Sequence, residues 1–126
     1  MTIYLAGKIS GDPNYKEKFF KVQREIEEFM SFTVLNPAIL PSEGFSYESY
    51  MRISGAMLKE CEAVCFLPDW LDNSGARCEF QQAVELGKDI YITLGEGWVR
   101  HHFHKLTDDE TKKILKRIYE KQKSEA

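Results

Sequence analysis

AVCFLPDWLDNSGARCEFQQAVELGKDIYITL, residues 63–94, decides the architecture of this chain. Ala63 to Leu67 (AVCFL) is a nearly continuous apolar run, the pattern of a strand covered on both faces, as the strands of parallel sheets are. Asp89 to Leu94 (DIYITL) is a second β-favouring segment. Between them, residues 76–87 on a helical wheel of about 100° per residue gather Ala76, Phe80, Ala83, Val84, Leu86 and Gly87 into one apolar arc, with Arg77, Gln81, Gln82 and Glu85 opposite. Strand, helix and strand in that order predict a parallel crossover unit. One residue resists the pattern: Glu79 falls inside the apolar arc although a polar face is available to it.

The same alternation continues outward. Thr2 to Ala6 (TIYLA) is a short β-favouring run closed by GKISGDPN, whose glycines, proline and asparagine mark a loop. From Tyr15 to Met30, the residues Phe19, Val22, Ile26 and Phe29 recur at helical spacing, and Asp12-Pro13 or Asn14 is placed to start that helix. Phe32 to Asn36 (FTVLN) is the next strand. Pro37 to Ser46 (PAILPSEGFS) reads as a loop leading into a helix over 47–60 that carries Tyr50, Met51, Ile53, Met57 and Leu58. A connection of that length is of the kind that covers a site. Residues 95–105 (GEGWVRHHFHK) read as a loop. Thr107 with Glu110 makes a capping box for a last helix, from about 107 to 123, striped by Ile114, Leu115 and Ile118. The expected fold is α/β: a three-layer sandwich with a mostly parallel four- or five-stranded sheet and helices on both faces.

Composition narrows the function classes. A chain of 126 residues with 43% hydrophobic and 29% charged residues reads as one globular domain over 1–126, without internal repeat or linker. A net charge of −3 offers no general attraction for nucleic acid or membrane phosphates. No stretch approaches the ~18 apolar residues of a membrane span, and no basic leader precedes an h-region, so a cytoplasmic location is expected. Cys61, Cys65 and Cys78 are an odd count in segments that read as helix or strand, which suits reduced, packed thiols better than metal or disulfide chemistry.

In open α/β sheets the ligand site lies at the carboxyl ends of the strands. With its helix starting near residue 76, Glu79 lies in the first turn after such an end. There the helix dipole favours an ionised carboxylate, and the inward phase aims it at the crevice. A carboxylate held in that way is a candidate nucleophile; the alternative is an acid that only stabilises its own helix. Gly7, Lys8, Ser10 and Gly11 after the first strand, with Ser74, Gly75 and Ala76 after the third, offer N–H groups and hydroxyls suited to an anion. GKISG fits neither GxxxxGK[ST] nor GxGxxG, so the familiar nucleotide motifs are absent.

TIYLAGKISG, NPAILP, YMRIS and SGARCEFQQAVELGK together resemble the nucleoside 2-deoxyribosyltransferase-like superfamily, closest to a branch of small bacterial and phage proteins of unknown function. The resemblance covers residues 1 to about 94, and the Gly75 to Glu79 spacing is its most specific part. It implies a Rossmann-like sandwich that cleaves the N-glycosidic bond of a deoxynucleoside or its 5′-monophosphate, without metal or organic cofactor and as a homo-oligomer. Glu79 stands where the family has its nucleophile, Tyr4 where a tyrosine hydrogen-bonds that nucleophile, and GKISG where nucleotide-cleaving members hold a 5′-phosphate; Asn36, in NPAILP, joins the expected substrate-binding set. Two carboxylates of better-known members are replaced, by Ser54 and by Asn73. Asp72 or Asp69 then stands as the substitute acid, or each is a solvated loop residue.

Trp70, Phe45, Tyr47 and Tyr50 either stack on a nucleobase or cover the sheet. Arg52 pairs either with a phosphate or with Glu43 or Glu48. His101, His102 and His104 lack a carboxylate or cysteine partner at a known ligand spacing, so a loop or interface is expected there rather than a metal. Three readings of function follow: an N-glycosidase or deoxyribosyltransferase, a non-catalytic module that senses or sequesters a nucleotide-derived signal, and a purely structural or partner-binding domain. The small-molecule readings call for a nucleoside or nucleotide as partner, with neither nucleic acid nor membrane.

Overall fold

The structure, a computed structural model, describes residues 1–94 and 101–125. Strands β1 (Thr2–Ala6), β2 (Thr33–Leu35), β3 (Ala63–Phe66), β4 (Asp89–Leu94) and β5 (His102–Lys105) form one sheet in the order β2-β1-β3-β4-β5. The first four are parallel, and β5 runs antiparallel to β4. Helices α1 (Tyr15–Phe29), α2 (Tyr47–Glu60), α3 (Ser74–Glu85) and α4 (Asp108–Glu125) complete the chain, with short 3-10 turns at Pro37–Ile39 and Trp70–Asp72.

Strand alternation divides the core in two. Ile3 and Leu5 of β1, with Ala63, Cys65 and Leu67, face α1 through Phe19, Val22 and Ile26. Tyr4 and Ala6, with Val64 and Phe66, face the other way, toward Leu58 of α2, Phe80 of α3 and Ile118 of α4. β1 and β3 are buried on both faces because helices cover both, and that is why they read as unbroken apolar runs. A fully buried Leu, Ile or Phe is worth roughly 1.5–3 kcal/mol over an exposed one, so these two strands anchor the sheet and the partly exposed β2 and β5 follow.

Two expectations are corrected. The expected loop over 95–105 is a strand at its end: His102–Lys105 pairs with β4, from Tyr91 opposite Lys105 to Leu94 opposite His102. Residues 95–100 lie outside the described residues. The strand is polar because it lies at a sheet edge, with Phe103 alone packing toward the α1 side. The histidines there hold neighbouring acids, His101 on Glu25 at 2.7 Å and His104 on Glu110 at 2.9 Å. The second correction concerns α3, which begins at Ser74 rather than 76. Its so-called polar face is also not all solvated: Arg77 is 2% exposed, donating to the Leu71 carbonyl at 2.8 Å and to Glu125 at 2.7 Å. Among the described residues no helix is long and apolar enough to cross a membrane.

Candidate functional site

Strand order reverses direction between β1 and β3, and the crevice outside their carboxyl ends is where such sheets place ligands. A cavity of about 830 Å³ opens there. Its floor is the end of β1, one wall is the loop 7–13, the opposite wall is α2 with the preceding loop, and the N-terminal turn of α3 closes the third side.

The α3 wall is set locally. Asn73 is the N-cap: its Oδ1 accepts the Ala76 N–H at 2.9 Å, ending the turn that follows β3 and aiming the helix start at the cavity. Gly75 leaves the mouth uncrowded, since a Cβ there would stand 3.2 Å from Asn73 Oδ1 and 3.4 Å from both Met51 Sδ and Tyr47 Oη. Gly7 packs tightly on its core side, where a Cβ would lie 3.0 Å from Leu67 Cβ and 3.3 Å from Phe19 Cζ.

Glu79 lines the cavity and is 6% exposed. Tyr4, reaching up from β1, donates its hydroxyl to Glu79 Oε2. Because α3 starts at Ser74, Glu79 is in the second turn, beyond the reach of most of the helix dipole, so the dipole does not hold it ionised as the sequence suggested. Burial dominates and raises its carboxyl to about 7, with the Tyr4 hydrogen bond opposing the rise. Tyr4 is itself pushed well above the usual tyrosine range, first by burial and then by the neighbouring Glu79 charge, while Ser54 pulls it down. The result is a carboxyl poised to gain or lose its proton near neutrality, fixed in direction by a phenol that stays protonated.

The loop 7–13 is braced from below. Lys18 of α1 donates to the Lys8 carbonyl at 3.0 Å, to Asp12 Oδ2 at 2.6 Å and to Asp69. Asp12 also accepts the Asn14 N–H at 2.9 Å, and the Lys18 hydrogen bond holds its carboxyl below the usual range. Asp69 accepts the Lys8 N–H at 3.3 Å, joining the loops after β1 and β3.

Of the residues expected at the site, Glu79, Tyr4, Gly7, Ser10, Gly11, Ser74 and Gly75 meet around the cavity. Others are placed elsewhere. Trp70 stacks on Phe80 at 4.9 Å and is turned into the core, because its ring fills the space between Phe66 and α3. Asp72, as the expected acid, faces away, with its carboxylate 3.2 Å from Lys121 of α4. Asp69 belongs to the Lys18 brace, and Lys8 contributes backbone to it. Asn36 is buried as the cap of the Pro37–Ile39 turn and donates to Gln23 at 2.9 Å. Ala76 is buried in the core, its N–H taken by Asn73. Ser54 and Asn73, where acids were missing, both line the cavity, as do Tyr47 and Tyr50. Lys18 and the lining role of Asp12 escaped the sequence reading; nothing in the local spacing links Asp12 to Lys18, or either to Asp69 across the sheet.

Residues 1–92 match the family described as Domain of unknown function (DUF4406). No curated protein is significantly similar in sequence. Among solved structures, a 2-deoxyribosyltransferase from the psychrotolerant bacterium Bacillus psychrosaccharolyticus aligns with a TM-score of 0.58 and 22% identity, over 73% of this chain and 71% of that one. A conserved protein from Enterococcus faecalis V583 aligns with a TM-score of 0.56 and 12% identity, over 73% of this chain and 62% of that one. The fold is therefore the one the sequence resemblance implies, in a family of unknown function.

Proposed function

We propose a function for this chain, which belongs to the DUF4406 family: it binds a nucleoside or nucleotide in the β1/β3 crevice and cleaves the N-glycosidic bond, with Glu79 as nucleophile. The observation that carries the reading is the buried Glu79 carboxyl, raised to about 7 and held by Tyr4 on the wall of the cavity. Likeness in fold to a 2-deoxyribosyltransferase supports the substrate class.

The chemistry follows from the geometry. In its ionised form Glu79 offers an oxygen to the anomeric carbon; the C1′–N bond breaks as the C1′–O bond forms, and the bonding pair leaves on the base nitrogen, which takes a proton from water at the open mouth. The oxocarbenium-like transition state is positive, so a carboxylate in a water-poor wall stabilises it more than it stabilises the neutral substrate. Tyr4 keeps the second Glu79 oxygen occupied and the first one directed. Water, or a second base, then displaces the carboxylate from the sugar and regenerates it.

The test is release of free base, followed by chromatography, from a panel of deoxynucleosides, ribonucleosides and their 5′-monophosphates, with Glu79→Ala alongside. Release by the wild type, reduced at least a thousandfold in the variant, is the expected result. A second reading rests on the lining itself. Ser54 and Asn73 bring no carboxylate, which leaves Asp12 and Glu79 as the lining acids among the described residues. A module that binds without turnover fits that deficit: ligand binding by wild type and Glu79→Ala alike, with no base released by either, would favour it.

A further inference from the structure

The net charge of −3, on which the expectation of no nucleic-acid partner rests, is an average that hides one cationic surface. Between residues 112 and 123, α4 carries Lys112, Lys113, Lys116, Arg117, Lys121 and Lys123 against Glu120 alone. The other acids of the helix stand at its ends: Asp108, Asp109 and Glu110 in the first turn, where they suit the dipole, and Glu125 on Arg77. Lys121 is spent on Asp72. Lys112, Lys113, Lys116, Arg117 and Lys123 are exposed and form no ion pair among the described residues. At about 100° per residue, Lys112, Lys116, Tyr119 and Lys123 fall within about 60° of one another, opposite the core-facing Ile114, Leu115 and Ile118. They make a line about 16 Å long, in which Tyr119, 66% exposed, stands among the ammonium groups with its ring given to solvent. Asp109 and Glu120 border the line and divide it from Lys113 and Arg117. Among the described residues no α4 side chain lines the β1/β3 cavity, and the matched family region ends before this helix, so the face is separate from the site already described.

We infer that this face of α4 binds single-stranded nucleic acid, with Lys112, Lys116 and Lys123 on phosphates and Tyr119 stacked on a base. Single-strand binding without sequence preference needs those two elements together: cations that follow the backbone, and an exposed aromatic ring that accepts any base. Release of the counterions condensed on the strand drives the contact. An anionic membrane carries the same phosphates but asks for an apolar helix face to bury, and in α4 that face is already in the core through Ile114, Leu115 and Ile118. An acidic peptide offers carboxylates to the lysines but no base to the ring. Binding here is independent of the glycosidase reading, since none of these residues touches the cavity.

The test is fluorescence anisotropy of a labelled oligothymidylate of about 20 nucleotides, titrated with the full chain from about 50 to about 200 mM salt. Three phosphate contacts at about 0.7 each predict that log K falls against log salt with a slope of about −2. The double variant Lys112→Gln, Lys116→Gln should flatten that slope by about 1.4 and weaken binding at least tenfold at the lowest salt. Tyr119→Ala should weaken binding at least fivefold with the slope unchanged. These positions are exposed, so the variants keep the fold, and urea transitions matching the wild type check it. Binding absent at the lowest salt, or undiminished in the double variant, overturns the inference. So does Tyr119→Ala binding as the wild type does, which would leave a bare charge patch. Competition by polyglutamate as strong as by unlabelled oligonucleotide, or capture by phosphatidylserine vesicles without oligonucleotide binding, overturns it in favour of an acidic protein or a membrane.

Discussion

The Glu79 carboxyl stands near the middle of its titration at neutral pH, since burial has raised it to about 7 against an ordinary value of 4.5. Between those two values the folded chain binds a proton that the unfolded chain has released, so stability falls as pH rises through the window. Glu79→Gln keeps an acceptor for Tyr4 and removes the charge; it should match the wild type below pH 4.5 and exceed it by on the order of 3 kcal/mol above pH 7. Urea denaturation at pH 4 and pH 8 measures this, and equal stabilities at both would show a solvated carboxyl. The same titration predicts that kcat/KM for base release rises with pH through about 7, the ionised form being the nucleophile. Tyr4→Phe removes the hydrogen bond that holds the carboxyl down, so the rising limb of that profile should move to higher pH. At this scale the inward direction of Glu79 was legible in the sequence from helical phase. Its protonation was not, because desolvation depends on Tyr4, 75 residues away, and on the core around it. Nor were the directions of Trp70, Asp72 and Arg77, whose partners lie on Phe80, Lys121 and Glu125.

Among the elements, α3 and α4 carry caps of the same kind with different duties. Asn73 caps α3 at the cavity wall, and Thr107 with Glu110 caps α4 far from it, through bonds of 2.9 and 3.2 Å. Replacing either cap by alanine should cost about 1 kcal/mol, read as a lowered melting temperature. Asn73→Ala should also lower base release, because the α3 start forms the wall, whereas Thr107→Ala should leave it unchanged. A loss of release in both variants would mean that the caps act only through global stability. The capping box was readable from Thr107 and Glu110 alone, since its two bonds span three residues. The β5 strand was not: HFHK has no strong β signal, and its pairing with β4 supplies what its own residues lack.

Across the whole molecule, α4 is the cover of one sheet face. Ile118 is fully buried, and Ile114 and Leu115 pack on the cluster that contains Phe80 and Trp70, the underside of the α3 wall. Arg77 and Asp72 of the α3 region are tied to Glu125 and Lys121. The matched family region ends at residue 92, before this helix begins. Ending the chain after Leu106 would expose Phe80 and Trp70, at roughly 1.5–3 kcal/mol for each large side chain uncovered. A cooperative unfolding transition should then be lost or shifted by several kcal/mol, which circular dichroism with urea would read; an unshifted transition would show that α4 is dispensable. What the sequence by itself determined is the order of the four parallel strands and the four helices, the two central strands and the inward phase of Glu79, because period-2 and period-3.6 patterns are local consequences of which face meets the core. What only the tertiary structure decided is the polar edge strand, the protonation of Glu79 and the absence of cations from the described cavity lining. Each of these depends on groups that the chain brings together from distant positions, where burial and charge act through space.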